Sequence, residues 1–221
     1  MSKSKIIFIT ATDTGVGKTV AMFVLATLLR VQKYKVGVLK PVQCAGQDAQ
    51  FLKNLLGLKD NLKIINPFYA PEPLSPHLAF RRSKINFEKR RVQSALKDIC
   101  QYYEIVLVEG AGGLLVPLKN NYYNADLVAD LKAEIVIVSR LGLGTINHTL
   151  LTINEAKRRK LKIRGVIFCQ TNAKFKGIAE MTNPTEIEKL SGIKTLGIIP
   201  YLKPLNQKNV LRQCQNLILP V

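Results

Sequence analysis

An α/β fold, with a mostly parallel central sheet and helices on both faces, is what this sequence predicts for a single domain over residues 1–221. Three observations predict it. Short runs rich in Ile and Val alternate with longer mixed segments along the chain. Several of those runs lack the in-out alternation of half-exposed strands, as expected when both faces of a parallel sheet are covered. A glycine-rich turn also joins the first run directly to an apolar-periodic helical segment.

The elements follow in order. Lys5–Thr10 is the first strand, and Lys18–Gln32 the helix after the turn. Val36–Leu39 is the second strand and Ala49–Leu56 the second helix. Asn66–His77 breaks the alternation, because Pro67, Pro71, Pro73 and Pro76 predict an ordered, non-helical loop of a length that often lines a site. The pattern resumes with a helix over Phe87–Tyr103, a strand at Ile105–Glu109, a helix over Asn124–Leu131 and a strand at Glu134–Ser139. A helix over Ile146–Arg159, a strand at Ile163–Cys169, a short helix over Thr185–Leu190 and a strand at Thr195–Ile199 complete it. The tail, residues 204–221, is poorly assigned apart from a short helix around Val210–Leu217. In such sheets ligands bind beyond the carboxyl ends of the strands.

Composition narrows the class. Apolar runs recur throughout, which excludes a largely disordered chain. No stretch approaches the roughly 20 apolar residues that span a bilayer, and the apolar run after Met1–Lys5 is too short for a secretory leader. A cytoplasmic protein with no membrane partner is expected. Cys44, Cys100, Cys169 and Cys214 are scattered without CxxC or Cys/His spacing, against a disulfide framework or zinc site. Lysine and arginine number 33 against 15 acidic residues, a formal charge of +18, with basic runs at Arg81–Lys84, Lys89–Arg91 and Lys157–Lys160. No nucleic-acid motif or interleaved aromatic residue accompanies the runs. They read as a solvated surface around a polyanion-using site rather than a nucleic-acid interface.

The chemistry lies at strand ends. After the first strand, Ala11-Thr-Asp-Thr-Gly-Val-Gly-Lys-Thr19 leads into a helix, the context that confirms a phosphate-binding loop. Backbone N–H groups of Gly15 to Thr19 would wrap phosphate oxygens at the positive end of the helix. Lys18 would neutralise the terminal phosphates, and the Thr19 hydroxyl would ligate Mg²⁺. Ala11 stands where the first glycine of the pattern is usual, and alanine fits if its φ is negative. Glu109 ends a neighbouring strand, where a carboxylate can partner magnesium, and Gly110-Ala-Gly-Gly113 lets backbone approach a ligand. Lys40, at the end of the second strand with Asp48 just beyond, can stabilise charge developing at the phosphates.

Together these residues resemble the dethiobiotin synthetase family, ATP-dependent ring-closing ligases of biotin synthesis with a P-loop nucleotide-hydrolase fold. The matching segments are Thr12–Thr19, Lys40-Pro-Val-Gln43, Asn66-Pro…Glu72-Pro…Ser75-Pro-His77, Val108-Glu-Gly-Ala-Gly-Gly113, Leu143-Gly…Ile146-Asn-His148 and Ile199-Pro-Tyr-Leu202, in family order over about 190 residues. The resemblance implies that 7,8-diaminononanoate takes up CO₂ (or bicarbonate) as a carbamate, that ATP phosphorylates it, and that the second amine closes a ureido ring. It implies catalytic roles for Lys18 and Lys40, and Mg²⁺ held by Thr19, Asp48 and Glu109. Nucleotide contacts fall at Gly15, Val16, Gly17, Lys18, Thr19, Val20, Asp48, Glu109, Gly110, Ala111, Gly112, Pro200, Tyr201 and Leu202. Substrate contacts fall at Thr12, Lys40, Cys44, Gly113 and Asn147, and a homodimer is implied, with the site near the subunit interface.

Departures from the family pattern concern specificity. Cys44 stands where a substrate-touching Ser or Thr is usual, and a thiol is a weaker hydrogen-bond partner. Gly15 stands where glutamate is often found, and Cys169, followed by Gln170, replaces an asparagine that reads the base. His77 and His148, the only histidines, have no nucleophile partner in a recognisable spacing and are assigned structural or loop-anchoring roles. The alternatives are an amidotransferase-like ligase of the same fold group and, from another class, a partition-type DNA-associated switch ATPase. Such switches carry an extra lysine early in the loop, and Thr12, Asp13 and Thr14 supply none.

Overall fold

Each of the six predicted strands enters one parallel sheet, in the order Thr195–Ile199, Ile163–Cys169, Glu134–Arg140, Lys5–Ala11, Ile105–Gly113, Val36–Leu39. The computed structural model describes residues 4–173 and 177–221. Residues 1–3, which head the stretch read above for a leader, lie outside the described residues. In chain order the elements are β1 (Lys5–Ala11), α1 (Lys18–Val31), β2 (Val36–Leu39), β3 (Val42–Cys44), α2 (Asp48–Leu56), α3 (Leu62–Ile65), β4 (Phe68–Ala70), α4 (Pro76–Arg82), α5 (Lys89–Cys100) and β5 (Ile105–Gly113). There follow β6 (Pro117–Lys119), β7 (Tyr122–Tyr123), α6 (Asn124–Asp130), β8 (Glu134–Arg140), α7 (Thr145–Arg158), β9 (Ile163–Cys169), α8 (Ile178–Ser191), β10 (Thr195–Ile199) and α9 (Gln207–Gln213).

The missing alternation has a direct cause. Successive strand residues point to opposite faces, and here each face has its own core. Ile7, Ile9, Leu107, Val136 and Val138 pack with α1 on one side. Phe8, Val106, Val108, Ile135, Ile137 and Phe168 pack with α5, α6 and α7 on the other. α1 is therefore apolar almost all round, with every residue from Ala21 to Leu29 buried. Parallel register aligns the strand ends: Ile9 lies beside both Glu109 and Val136, and Arg140 beside Cys169. Functional side chains that follow these strands are thereby delivered to one edge of the sheet.

Three segments differ from expectation. The proline-rich stretch holds a short strand, β4, which pairs in parallel with β3 through Phe68, Tyr69 and Ala70. Its last proline, with His77, opens α4 rather than ending the loop, because proline fits a first helical turn where its missing N–H is no loss. α8 begins upstream of Pro184 at Ile178. The preceding turn is held by Thr182, which donates to the Ile178 carbonyl at 2.9 Å, and by Asn183, which donates to the Leu141 carbonyl at 2.7 Å. The tail helix sits earlier than expected, capped by Asn206 accepting from the Asn209 N–H. Beyond it Cys214 and Leu217 are buried in the α1-side core. Among the described residues no helix is long and apolar enough to cross a membrane.

Candidate active site

The turn between β1 and α1 begins from extended backbone. Ala11 closes β1 beside Gly113 and Val138, so its methyl group meets the condition that alanine needed there. Gly17 has φ 105°, and a Cβ there would lie 2.9 Å from the Cβ of Cys169, so glycine is required on both counts. The first turn of α1 leaves N–H groups without intrahelical partners, which is the physical basis for phosphate binding. Lys18 curls back over the loop and donates to the Asp13 carbonyl at 3.2 Å. Burial pulls its pKa below the ordinary lysine value and nearby Lys40 adds to this, with Glu109, Asp13 and Asp48 opposing.

Lys40 leaves the end of β2 with its backbone pinned on both sides. Its N–H donates to the Ile65 carbonyl at 2.7 Å, and its carbonyl accepts from the Asn66 amide at 2.7 Å. The side chain is 5% exposed, and Nζ reaches Glu109 Oε1 at 2.7 Å and Asp48 Oδ2 at 3.2 Å. Burial alone would lower its pKa, but the two carboxylates outweigh that and raise it. Asp48 is presented by a loop that Gln43 organises: its amide donates to the Ala45 and Gly46 carbonyls, and its oxygen accepts from the Ala49 N–H.

Glu109 joins the loop to this lysine. Its Oε1 also accepts from the Thr19 hydroxyl at 2.9 Å, while Oε2 is buried without a partner. Two carboxylates and a hydroxyl converge here with one carboxylate oxygen uncommitted, a hard-oxygen set that fits Mg²⁺ rather than a softer metal. After Glu109 the chain is held by Asn124, whose amide donates to the Ala111 and Gly113 carbonyls at 2.6 and 2.8 Å.

These groups line one cavity of about 640 Å³. Its wall contains Gly15, Gly17, Lys18, Thr19, Val20, Lys40, Cys44, Asp48, Glu109, Gly110, Ala111 and Gly112, all residues singled out from the sequence. Val16 is buried beneath the loop. The proline-rich segment contributes Pro73 to Pro76 opposite the phosphate loop. Cys44 faces the cavity with its thiol pushed up to about 11 by burial, Lys40 opposing, so it is neutral at physiological pH. Cys169 is 3% exposed and turned toward Gly17, its Sγ 3.8 Å from the Gly17 carbonyl. Burial pushes that thiol up to about 12.

Other expected residues stand apart. Thr12 and Gly113 line an adjoining groove of about 380 Å³, which shares Thr14 and Val116 with the large cavity and is walled further by Leu115, Leu151 and Glu155. Asn147 is exposed on the first turn of α7, and Pro200, Tyr201 and Leu202 follow β10 at the sheet edge; none of the four lines either cavity. A further cavity of about 500 Å³ opens between Arg140–Leu143 and Cys169–Asn172. His77 bonds through Nδ1 to the Ser75 hydroxyl at 2.5 Å, where the proline-rich segment turns into α4. Asn66, Gln43 and Asn124 went unassigned in the sequence, because an amide that braces backbone through its side chain carries no pattern of its own. Two of them stood in quoted motifs, Asn66 opening the proline-rich one and Gln43 closing Lys40-Pro-Val-Gln43.

Comparison with known proteins is consistent with this layout. A family model described as an AAA domain matches residues 5–209. The ATP-dependent dethiobiotin synthetase BioD of Methanocaldococcus jannaschii is 41% identical over 199 residues, 87% of this chain and 92% of that one. The protein of the same name from Aquifex aeolicus is 39% identical over 202 residues, covering 90% and 88%. Among solved structures, a ParA family ATPase from Chlorobium tepidum superposes with a TM-score of 0.59 at 18% identity, over 99% of this chain and 97% of that one. The septum site-determining protein MinD from Pyrococcus horikoshii gives 0.60 at 16%, over 95% and 86%. At such identities these structures speak for the fold alone.

Proposed function

This chain belongs to the ATP-dependent dethiobiotin synthetase family, and from that premise we propose that it closes the ureido ring of dethiobiotin from 7,8-diaminononanoate, CO₂ and ATP. The observation that carries the reading is the buried Lys40 ammonium facing the phosphate loop across one cavity, held cationic by Glu109 and Asp48. One amine of the diamine takes up CO₂ as a carbamate. A carbamate oxygen attacks the terminal phosphorus of ATP, the bond to the bridging oxygen breaks, and ADP leaves. The second amine then attacks the carbonyl carbon of the mixed anhydride, expelling phosphate, which carries off the former carbamate oxygen and the amine proton. The carbamate, ATP, the mixed anhydride and the released phosphate are all anionic, so the protein's task is to position them and neutralise charge.

The residues divide that task. Lys18 and the N–H groups from Gly15 to Thr19 hold the terminal phosphates, with Val16 and Val20 shaping the loop and Gly110 to Gly112 along the nucleotide. Lys40, fixed by Asn66 from behind, neutralises the carbamate as it becomes the nucleophile. Thr19, Asp48 and Glu109 would hold Mg²⁺, which when bound supplies further charge neutralisation at the phosphates. Pro200, Tyr201 and Leu202 are assigned to the base end of the nucleotide, and Thr12, Cys44, Gly113 and Asn147 to the diamine. Asn147 reaches the diamine from a second copy of the chain. Support for a homodimer is exposed apolar surface: Leu115 and Leu151 at the groove are 53% and 60% exposed, and Leu143, just before α7, is 86% exposed.

The test is incubation with ATP, Mg²⁺ and bicarbonate, with and without the diamine, following phosphate release and product mass. Phosphate release that depends on the diamine and yields the cyclic urea is expected. Release indifferent to the diamine would overturn the reading in favour of a switch ATPase. Sedimentation should report a dimer that Leu151→Glu separates.

A further inference from the structure

Beside the phosphate loop lies a ladder of hydroxyls whose proton directions are fixed by counting hydrogens. Ser139 on β8 and Thr145 and Thr149 on α7 are all fully buried at 0% exposure. Thr145 donates to the Arg140 carbonyl at 2.5 Å. A hydroxyl has one hydrogen, so in its 2.8 Å bond with Ser139 the threonine must accept and Ser139 must donate. The hydrogen of Ser139 is then committed. Thr149 at 2.8 Å and Thr12 at 3.3 Å can bond Ser139 only by donating to it, which fills both of its lone pairs.

A Thr12 hydroxyl that bonds Ser139 across this longer 3.3 Å contact therefore gives its hydrogen inward and keeps its lone pairs for the groove that Thr12 lines. We propose that Ser139 is a positioning residue that fixes Thr12 as a hydrogen-bond acceptor, so that the groove selects an N–H donor, the substrate amine. An amine that donates one N–H to Thr12 keeps its own lone pair free for carbon. A carboxylate or phosphate brings acceptors alone and is refused at this point. The inference rests on the proposed ring closure, and extends it to residues of the adjoining groove, which meets the cavity that holds Lys40 at Thr14 and Val116. It also gives the buried alcohols of α7 a role that helix packing does not require, since β-branched apolar residues would fill the same space.

The test measures KM for diamine and for ATP in the wild type and in four variants, with thermal unfolding of each. Ser139→Ala frees Thr12 to rotate, and the diamine KM should rise about tenfold, the worth of one well-placed hydrogen bond, while KM for ATP stays unchanged. Thr145→Val releases the Ser139 hydrogen to point at Thr12 and should act the same way, whereas Thr145→Ser keeps the ladder direction and should restore the wild-type value. Thr149→Val removes a donor off the directional path and should leave both KM values alone, even where it lowers the unfolding temperature. Diamine KM values that follow unfolding temperature across the four variants, or that do not move with Ser139→Ala, would overturn the proposal. A wild-type rate with no diamine dependence would instead overturn the ring-closure reading beneath it.

Discussion

The two sides of the phosphate loop are built from different materials. Toward β5 and β2, Lys18, Lys40, Asp48 and Glu109 crowd together with Thr19, and three of the five are less than a tenth exposed. Toward β8 and α7 stand Thr12, Ser139 and Thr145, hydroxyls bonded in series, with Thr149 a side branch on Ser139. Charges in a buried setting act strongly but without much regard to direction, which suits the transfer of a phosphoryl group between anions. A hydroxyl ladder acts weakly but fixes which atom donates, which suits the choice between an amine and an anion. In the proposed reaction one side would supply rate and the other selection.

Breaking the charged side should have the largest effect. Lys40→Gln is expected to lower turnover by about 10²–10³-fold, the usual loss when one electrostatic stabiliser is removed. Nucleotide affinity, read with a fluorescent ATP analogue, should stay nearly intact; equal loss of both would erase the distinction between binding by Lys18 and activation by Lys40. Glu109→Gln comes next, weakening Mg²⁺-dependent nucleotide binding by about 10–100-fold, as lost metal-supporting contacts commonly do. A magnesium titration identical to wild type would remove Glu109 from the metal set.

Protonation separates the two lysines. Glu109 and Asp48 raise the pKa of Lys40, so its charge is present below the ordinary lysine range and lost only above it. Lys18 is lowered by burial, so its charge fades first as pH rises. The alkaline fall of kcat/KM for ATP should therefore begin below the ordinary lysine value of about 10.4, and Lys18→Arg should move it upward. An alkaline limb that instead follows substitution of Lys40 would reverse these assignments.

Smaller effects sharpen the selective side. Cys44→Ser should lower the diamine KM by about fivefold, roughly one hydrogen bond, measured at saturating ATP. No change would mean that a backbone group already serves there. Cys169→Ser should leave the preference for ATP over GTP as it was, because that thiol faces Gly17 rather than open space. A shifted preference would show that position 169 reads the base after all.

The six strands were legible because unalternated Ile and Val runs admit little else once both faces are known to be covered, and their order along the chain carried the helices with them. What was lost had weak local signals. β3 and β4 are three residues each and exist only as a pair, and the start of α8 was hidden by Pro184, whose missing bond is offset by Asn183 reaching across to Leu141. In the site, Lys18, Thr19, Lys40 and Glu109 could be read because each stands at a strand end or loop that announces itself. Gln43, Asn124 and Ser139 could not, since each acts through side-chain bonds that only the folded chain brings into place. Asn147 and Pro200 to Leu202 came from family resemblance, and they stand apart from both the large cavity and the groove.

In the proposed reaction a carbamate oxygen, steadied by Lys40, bonds to phosphorus and then leaves with the phosphate, and this transfer can be followed atom by atom. It is tested most directly by running the reaction briefly with ¹⁸O-labelled bicarbonate in unlabelled water and weighing both products. The expected result is one ¹⁸O atom in the released phosphate and one in the ureido carbonyl of the cyclic product. Unlabelled phosphate alongside a labelled ring would contradict it, because ATP would then have been cleaved by water and not by the carbamate.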